Sequence, residues 1–399
     1  MAANAKTLSE PPKKPAGKAP GNSPGKDAAD PPFAGRQSRL ARAIADKGLD
    51  ALLVTNPKDV GYLTGFLGGD SYLLCRAAAS ASGSAPAPTL ISDFRYKEEL
   101  EPVESAGLAR VHIRSRSMVE AVCEVLEGAP KATVGVQGEQ MTLAERASIQ
   151  RRSKRKLAET IGLLSELRII KDESEVALIR KAVKIQESAL DAVLPTIKPG
   201  QSELDIAARL EFEMKVRGSS EPGFQTIIAA GAAGSLPHYR PTGAKIKAGK
   251  PLLIDWGAVF RGYHADMTRT FTLGKWPEKV REIYDIVLEA HTLAARAIAP
   301  GKTTVEIDKI ARMHIARRGY AEFFGHGLGH GIGLNGHEEP RLTNMLAARP
   351  LRAGMVVTIE PGIYLPGVGG VRIEDDYLIT ETGATCLCRM KKDADWAVL

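Results

Sequence analysis

Two strand-like segments joined by a short glycine-containing turn form the most restrictive feature of the sequence, PLLIDWGAVFRGYHADMTRTF. Both segments are rich in Leu, Ile, Val, Phe and Thr, and Gly262 supplies the backbone freedom that a hairpin turn or a bulge requires. Each segment also carries a carboxylate, Asp255 in the first and Asp266 in the second. A turn centred between Phe260 and Arg261 predicts a β-hairpin in which Asp255 lies opposite Asp266.

Opposed side chains of this kind are suited to holding metal ions. Cβ atoms directly across a hairpin are about 4.5–5.5 Å apart, and the two ions of a dinuclear catalytic site are about 3.5–4 Å apart. Three later residues stand in contexts that complete such a cage: His330 in HGLGHGIGL, Glu360 in TIEPG and Glu374 in VRIEDD. Four carboxylates and one imidazole are typical of a two-metal hydrolase site.

The sequence around the three later residues favours strands rather than helices. The four glycines of HGLGHGIGL would each cost a helix about 1 kcal/mol relative to alanine, and they let the backbone approach a ligand closely. Glu360 ends the apolar run MVVTI, which a Pro-Gly pair stops, and Glu374 closes the short run VRI. Singly, such residues are also turn formers, loop histidines or solvated strand ends, but their joint occurrence favours a metal site.

The combined motifs resemble those of the pita-bread metallopeptidases. The D-x-G, D-M-T-R-T-F, H-G-x-G-H, I-E-P-G and R-I-E-D-D segments are similar to those of Xaa-Pro dipeptidases (prolidases), aminopeptidase P, methionine aminopeptidase and the non-metal enzyme creatinase. Upstream, LLVTNPKDVGYLTGF resembles the creatinase-type N-terminal domain, which methionine aminopeptidases lack. The resemblance implies an α+β protein: a C-terminal pita-bread fold, with a curved antiparallel sheet covered by helices and a pseudo-twofold, after an α/β N-terminal domain.

Metal-binding roles are implied position by position. Asp255 would chelate one ion, His330 and Glu360 the other, and Asp266 and Glu374 would bridge both. Oxygen-rich ligands with one imidazole and no thiolate suit two Mn²⁺ or Co²⁺ ions, with Zn²⁺ left open. In this family a water or hydroxide bridging the ions is the nucleophile, and Glu360 is the candidate for exchanging a proton with it.

Four further residues are candidates for contact with the substrate. His238 and His337 match family histidines that stabilise the tetrahedral intermediate and help the leaving amine take its proton. His326 matches a substrate-side histidine of the prolidases and aminopeptidase P, and the alternative is a histidine that stabilises its loop. Arg341, in HEEPR, is a candidate for the terminal carboxylate of the substrate, because a guanidinium grips a carboxylate with two parallel hydrogen bonds. A structural ion pair is the alternative for Arg341.

Three functions remain open at this point. An Xaa-Pro dipeptidase is favoured by the HEEPR segment and the compact N-terminal region. An aminopeptidase P acting on longer peptides needs the same metals and histidines, and differs in whether loops close the far side of the cleft. A metal-free binding module is disfavoured, as creatinase is, because the five ligands and both histidines are present. Asn335-Gly336 departs from the acidic or apolar pair common before His337 in relatives, which affects fine specificity.

Composition and charge bear on where the protein is located and which partners it has. A hydrophobic content of 44% with 25% charged residues is ordinary for a globular protein, and no run of 18 apolar residues predicts a membrane span. The first residues lack the apolar core of a secretory signal, and four cysteines show neither zinc nor CxxC spacing. We therefore expect a cytoplasmic protein without membrane or nucleic-acid partners, although the net charge is +7. The resemblance implies a homodimer, with the Gly65–Tyr72 loop as a contributor or as an ordinary turn.

The chain divides into three predicted segments. Residues 1–36 hold seven prolines and a net charge of +3, which predicts a disordered tail. Residues 37–165 alternate strand-like and helix-like runs, beginning with a helix capped by Ser38, and predict the creatinase-like domain. Residues 166–399 form the predicted catalytic domain, opened by a long helix that Asp172 or Ser174 caps. Pro-Gly stops recur near Gly200 and Gly301, in rough agreement with an internal duplication.

Overall fold

The computed structural model describes residues 33–78, 86–128 and 132–399. The predicted tail lies outside these residues except for its last four, which belong to a helix that begins at Phe33. Ser38 lies inside this helix, where its hydroxyl donates to the carbonyl of Ala34 at 2.8 Å. The prediction that Ser38 caps the helix is therefore wrong, because the helix begins five residues earlier, at Phe33, and already buries Arg36.

The N-terminal region is a mixed six-stranded sheet with helices. In chain order its elements are α1 (Phe33–Asp46), β1 (Ala51–Val54), α2 (Pro57–Thr64), β2 (Tyr72–Arg76), β3 (Thr89–Ser92), α3 (Lys97–Ser105), β4 (Arg110–Ile113), α4 (Met118–Glu127), β5 (Val134–Gln137), α5 (Leu143–Ser153), β6 (Leu157–Thr160) and α6 (Leu163–Arg168). The strand order is β4-β3-β2-β1-β5-β6. Both pairings of β2 are antiparallel and the other three are parallel. This arrangement confirms the predicted α/β layer.

The C-terminal region consists of antiparallel sheets covered by long helices. Its elements are α7 (Glu173–Val193), α8 (Glu203–Val216), β7 (Ile227–Ala230), β8 (Pro251–Trp256), β9 (Val259–Phe260), β10 (Tyr263–His264), β11 (Met267–Thr272), α9 (Glu278–Ala297), α10 (Thr304–Arg317), β12 (Gly329–Gly331), β13 (Glu338–Leu342), β14 (Val356–Ile359), β15 (Gly362–Leu365), β16 (Gly369–Arg372), β17 (Asp375–Ile379) and β18 (Ala384–Cys386). Asp172, not Ser174, caps α7: it accepts from the Glu175 amide at 3.1 Å in a capping box.

One topology occurs twice in this region. Each copy consists, in chain order, of two helices, two strands, a small hairpin and a further strand. The first copy is α7, α8, β7, β8, β9–β10 and β11, and the second is α9, α10, β12, β14, β15–β16 and β17. The first sheet is ordered β11-β8-β7, and the second, β13-β12-β14-β17-β18, contains the corresponding order β12-β14-β17 with one further strand at each edge. Helix α7 packs on β9 and β10, and α9 packs on β14, β15 and β16. The repeat confirms the predicted pseudo-twofold, and in both copies a hairpin interrupts the paired strands.

The first of these hairpins has a two-residue turn at Arg261 and Gly262. Their φ angles are 48° and 83°, the left-handed backbone of a type I′ turn. Phe260 pairs with Tyr263 across the turn. The turn is therefore centred one residue later than the sequence predicts.

This shift changes which residue faces Asp255. Its partner across the β8–β11 ladder is Thr268, so the prediction that Asp255 lies opposite Asp266 is wrong. Because moving a turn centre by one residue moves each partner by two, and side chains alternate with a period of two, the two aspartates remain on the same face. They lie diagonally across the ladder.

The strands that carry the site are deeply buried. Every residue of β8, β11 and β14 is buried, so charged side chains there require partners. Among the helices of the described residues, none has both the length and the apolar character needed to cross a membrane.

Candidate active site

The two halves of the C-terminal region meet at Glu374, just before β17. The Glu374 amide donates to the Thr268 carbonyl at 3.1 Å, and the Thr268 hydroxyl donates to Glu374 Oε2 at 2.7 Å. This isolated bridge joins β11 of the first half to the residue that precedes β17. The carboxylates of both halves therefore converge on one place.

Every predicted site residue lines a single cavity of about 710 Å³. Asp255 lies within β8 and His330 within β12, whereas the other three predicted ligands flank strands, as Asp266 does one residue before β11. The nine residues predicted from sequence that line the cavity are His238, Asp255, Asp266, His326, His330, His337, Arg341, Glu360 and Glu374. The structure brings them together, and their individual roles remain predictions.

His330 presents one ring nitrogen to the carboxylates. Its Nε2 is 3.4 Å from Glu360 Oε1 and 3.8 Å from Asp266 Oδ2. Its Nδ1 is 3.1 Å from the Gly331 carbonyl, which can only accept, so Nδ1 carries the proton. Burial lowers the pKa of His330 to about 3. The neutral ring with a free Nε2 is the form that ligates a metal.

The carboxylates carry more negative charge than the protein compensates. Burial, followed by the charge of Glu374, raises the pKa of Asp266 well above its usual value. Burial, followed by Glu374, likewise raises the pKa of Glu360, and burial with Asp255 raises that of Glu374 to about 8. Ligand atoms of Asp266, His330 and Glu374 lie within 4.8 Å of one another.

Two buried oxygens in this cluster lack partners. Asp255 Oδ1 and Asp266 Oδ1 accept no hydrogen bond from the described residues, which is costly for a buried carboxylate. A cation among these groups removes both that cost and the mutual repulsion of the carboxylates. The residues present therefore fit oxygen-preferring divalent metal ions.

Arg372 and Tyr364 belong to the site although sequence reasoning missed them. The buried Arg372 guanidinium donates to Asp255 Oδ2 at 2.6 Å and to the Tyr364 hydroxyl at 2.9 Å. Its Nε donates to the Thr268 hydroxyl at 3.1 Å. A signal was available, because Arg372 is the arginine of the R-I-E-D-D motif and stands two positions before Glu374.

His326 is held by two contacts. Its Nδ1 lies 2.7 Å from the Gly327 carbonyl and its Nε2 lies 2.8 Å from the Tyr364 hydroxyl. Nδ1–H therefore donates to Gly327, and Nε2 accepts from Tyr364. Burial lowers the pKa of His326 to about 4, so the ring is neutral. It lines the cavity and also stabilises its own loop.

His337, His238 and Arg341 occupy the cavity wall. The ring of His337 stacks on His330 with centroids 4.0 Å apart and planes tilted by 36°, and burial, then Arg341, lowers the pKa of His337. His238 is exposed. Arg341 pairs with His330 along the β12–β13 ladder. Within residues 33–78, 86–128 and 132–399, its guanidinium has no hydrogen-bond or ion-pair partner.

This fold and its carboxylate-imidazole centre define a metallopeptidase of the pita-bread type. The sequence matches the model of metallopeptidase family M24 over residues 177–381 and that of the creatinase/prolidase N-terminal domain over residues 36–170. The chain belongs to metallopeptidase family M24 and carries the creatinase/prolidase N-terminal domain.

Individual relatives cover nearly all of the described chain. The Xaa-Pro dipeptidase of Pyrococcus furiosus is 35% identical over 360 residues, 90% of this chain and 99% of the relative. The structure of an Xaa-Pro dipeptidase from Bacillus anthracis superimposes with a TM-score of 0.85 at 32% identity, covering 91% of this chain and 99% of that one. An X-Pro aminopeptidase from Thermotoga maritima gives a TM-score of 0.80 at 32% identity, covering 88% and 99%.

Proposed function

We propose that this protein is an Xaa-Pro dipeptidase (prolidase) that uses two divalent metal ions. The observation that carries the proposal is a single cavity that a carboxylate-imidazole cluster and the guanidinium of Arg341 both line, the latter unpaired among the described residues. A dipeptide has a scissile bond for the first and a terminal carboxylate for the second. The identity to the Pyrococcus furiosus Xaa-Pro dipeptidase, 35% along 99% of its length, supports the same activity.

The proposed metal ligands are Asp255 for one ion, His330 and Glu360 for the other, and Asp266 and Glu374 for both. Mn²⁺ is the proposed native metal, with Co²⁺ or Zn²⁺ as alternatives, because the donors are mainly carboxylate oxygens with one imidazole. When bound, the ions supply Lewis acidity that polarises the scissile carbonyl and lowers the pKa of water.

The side chains around this centre supply positioning and proton transfer. Glu360 is the proposed proton acceptor, since its Oε1 lies at the cluster, 3.4 Å from His330 Nε2. His337, packed on His330, would donate a hydrogen bond to the oxyanion that forms at the carbonyl. The exposed His238 would deliver a proton to the leaving nitrogen of proline, and His326 would contact the substrate from its Tyr364-supported loop.

Arg372 favours the ionised form of Asp255. Burial raises the pKa of Asp255, and the charge and hydrogen bond of Arg372 oppose that effect. Arg372 uses its remaining donors on Tyr364 and Thr268. It thus orients one proposed metal ligand and, through Thr268, a second one, Glu374.

An aminopeptidase P acting on longer peptides is the competing function, supported by the TM-score of 0.80 to the Thermotoga maritima X-Pro aminopeptidase. The decisive experiment compares Xaa-Pro with Xaa-Pro-Xaa peptides, using Mn²⁺-loaded and chelated enzyme. A dipeptidase cleaves only the dipeptide, and only with metal. Efficient cleavage of the tripeptide would favour the aminopeptidase, and no metal-dependent cleavage of either would favour a binding module.

The cellular location, oligomeric state and domain bounds of the protein are part of the same proposal. We infer a cytoplasmic homodimer with domains at residues 37–165 and 166–399. All four cysteines are free thiols, which suits a reducing compartment, and Leu67 of the Gly65–Tyr72 loop is 57% exposed. Light scattering of the purified protein tests the dimer, because a monomeric mass at micromolar concentration would exclude it.

A further inference from the structure

A chain of buried charged groups runs from the N-terminal region to the loop that carries His337. Arg168, at the end of α6, donates from Nη1 to Asp59 Oδ1 at 2.8 Å and from Nη2 to Glu338 Oε1. Lys171 Nζ lies 3.3 Å from Glu338 Oε2. All four side chains are at most 7% exposed, so the chain is shielded from water along its length.

The N-terminal end of this chain is anchored to the sheet. Gln137, the last residue of β5, donates from Nε2 to Asp59 Oδ2 at 2.6 Å. Its Oε1 accepts from the amides of Thr55 and Asn56 at 2.7 and 3.0 Å. Both oxygens of Asp59 are therefore engaged, which leaves the carboxylate little freedom to move.

The other end is anchored to the site. Glu338 follows His337 directly, and its Oε1 also accepts from the Asn335 amide at 2.9 Å. A Cβ at Gly333 would lie 2.8 Å from Glu338 Oε2 and 3.0 Å from Lys171 Cε, so the loop wraps tightly around this carboxylate. Glu338, the residue next to His337, is thus held on several sides.

The charges of the chain balance. Asp59 and Glu338 oppose Arg168 and Lys171, and the two cations overcome the effect of burial to lower the pKa of Glu338. Buried ion pairs add little net stability, because desolvation offsets their attraction, and specifying a geometry is their better-attested use. The catalytic histidine would be the element whose geometry is specified here.

We propose that Asp59, Arg168 and Glu338 are positioning residues for His337, so that the N-terminal region sets the turnover of the active site. This inference rests on the proposed function for its kinetic readout. The N-terminal region would then fix, through the buried contacts of Asp59 and Arg168 with Glu338, a group that acts on the substrate. Displacing a catalytic group by about 1 Å costs on the order of 100-fold in rate.

The test uses two matched Arg→Lys substitutions. Arg168→Lys keeps the charge but cannot bridge Asp59 and Glu338, because a single ammonium replaces two nitrogens in a fixed fork. Arg36→Lys is the control: Arg36 is also buried, at 3%, and donates to Asp172 at 2.8 Å and to the Tyr62 carbonyl at 3.0 Å. It links the same two regions but contacts no residue of the His337 loop.

We expect Arg168→Lys to lower kcat for an Xaa-Pro dipeptide by about 10- to 100-fold, with KM within about twofold and the metal content unchanged. Arg36→Lys should leave kcat within about twofold. In a His337→Gln background, Arg168→Lys should have almost no further effect on kcat, because it acts through the missing ring. Additive losses in that double variant, or equal losses of kcat in the two Arg→Lys variants, would overturn the proposal.

A readout without turnover separates this inference from the proposed function. The ring signals of the eight histidines can be followed by ¹⁵N NMR, with His337 assigned by its loss in His337→Gln. Arg168→Lys, or Asp59→Asn if that variant does not fold, should shift the His337 signal, and Arg36→Lys should not. An unmoved His337 signal refutes the positioning role, whereas a wild-type enzyme that cleaves no Xaa-Pro peptide refutes only the proposed function.

Discussion

The metal cluster predicts an unusual effect of neutralising Glu374. Burial, followed by the neighbouring Asp255, raises its pKa from 4.5 to about 8 in the metal-free fold. A carboxyl group whose pKa is higher in the folded state than in the unfolded one favours folding when protonated. Its stabilising effect is fully present at a pH below its pKa in the unfolded chain, and it is lost as the pH rises to its pKa in the folded protein.

The size of the effect follows from the two pKa values. The difference between about 8 and 4.5, at about 1.36 kcal/mol for each pK unit, amounts to about 5 kcal/mol. At pH 8 itself the folded group is half protonated, so the loss is about 4 kcal/mol. Glu374→Gln removes this titration and keeps an oxygen for the Thr268 hydroxyl, which lies 2.7 Å away.

Urea unfolding with a chelator present measures the effect. Metal-free Glu374→Gln should exceed the metal-free wild type by about 4 kcal/mol in unfolding free energy at pH 8, and the two should converge near pH 4.5. Saturating Mn²⁺ should reverse the order, because only the wild type has the full ligand set. A metal-free variant that is less stable than wild type at pH 8, or a difference independent of pH, would refute the reasoning. Asp375→Asn is the control, and it should lower rather than raise the unfolding free energy at pH 8. Arg269 and His291 overcome the effect of burial and hold the pKa of Asp375 below its usual value.

Three substitutions test the proposed site more directly. Asp266→Ala should abolish hydrolysis and lower the metal content measured by mass spectrometry, because a bridging ligand serves both ions; an active variant would contradict the two-metal assignment. His238→Gln should lower kcat by about 100-fold or more with the metals still bound, and metal loss would instead make His238 a ligand. Arg341→Met should raise KM for an Xaa-Pro dipeptide by roughly 10- to 100-fold, because it removes a charge-assisted hydrogen bond to the substrate carboxylate. The KM for the corresponding Xaa-Pro amide, which has no carboxylate, should hardly change. An equal change for both peptides would remove Arg341 from carboxylate binding.

Local patterns predicted the five candidate metal ligands, and the resemblance to the pita-bread metallopeptidases implied the fold class and the remaining site residues. The glycines around His330, the Pro-Gly stop after Glu360 and the short run before Glu374 are signals that lie within a few residues of each group. Helix caps are equally local: the residues around α7 offered Asp172 or Ser174 as its cap, and Asp172 is the one observed. The prediction for Ser38 was wrong because α1 begins at Phe33 and buries Arg36, and both residues had been assigned to the tail.

Register and long-range contacts were beyond such patterns. The partner of Asp255 depends on the turn at Arg261 and Gly262, whose φ angles are 48° and 83°; a turn centred one residue earlier pairs Asp255 with Asp266 instead of Thr268. Arg372 reaches Asp255 across 117 positions. No periodicity records a contact of that separation, so the role of Arg372 emerged only from the fold.

The sequence by itself determined which groups are available for chemistry, because metal-ligand residue types stand in short strand and turn contexts that physical rules can interpret. Tertiary structure alone decided how those groups are held. The Thr268–Glu374 bridge joins the two halves of the pita-bread region, and the Asp59–Arg168–Glu338 chain joins the N-terminal region to His337. Each joins residues more than 100 positions apart, and only burial in one common interior makes such pairs specific.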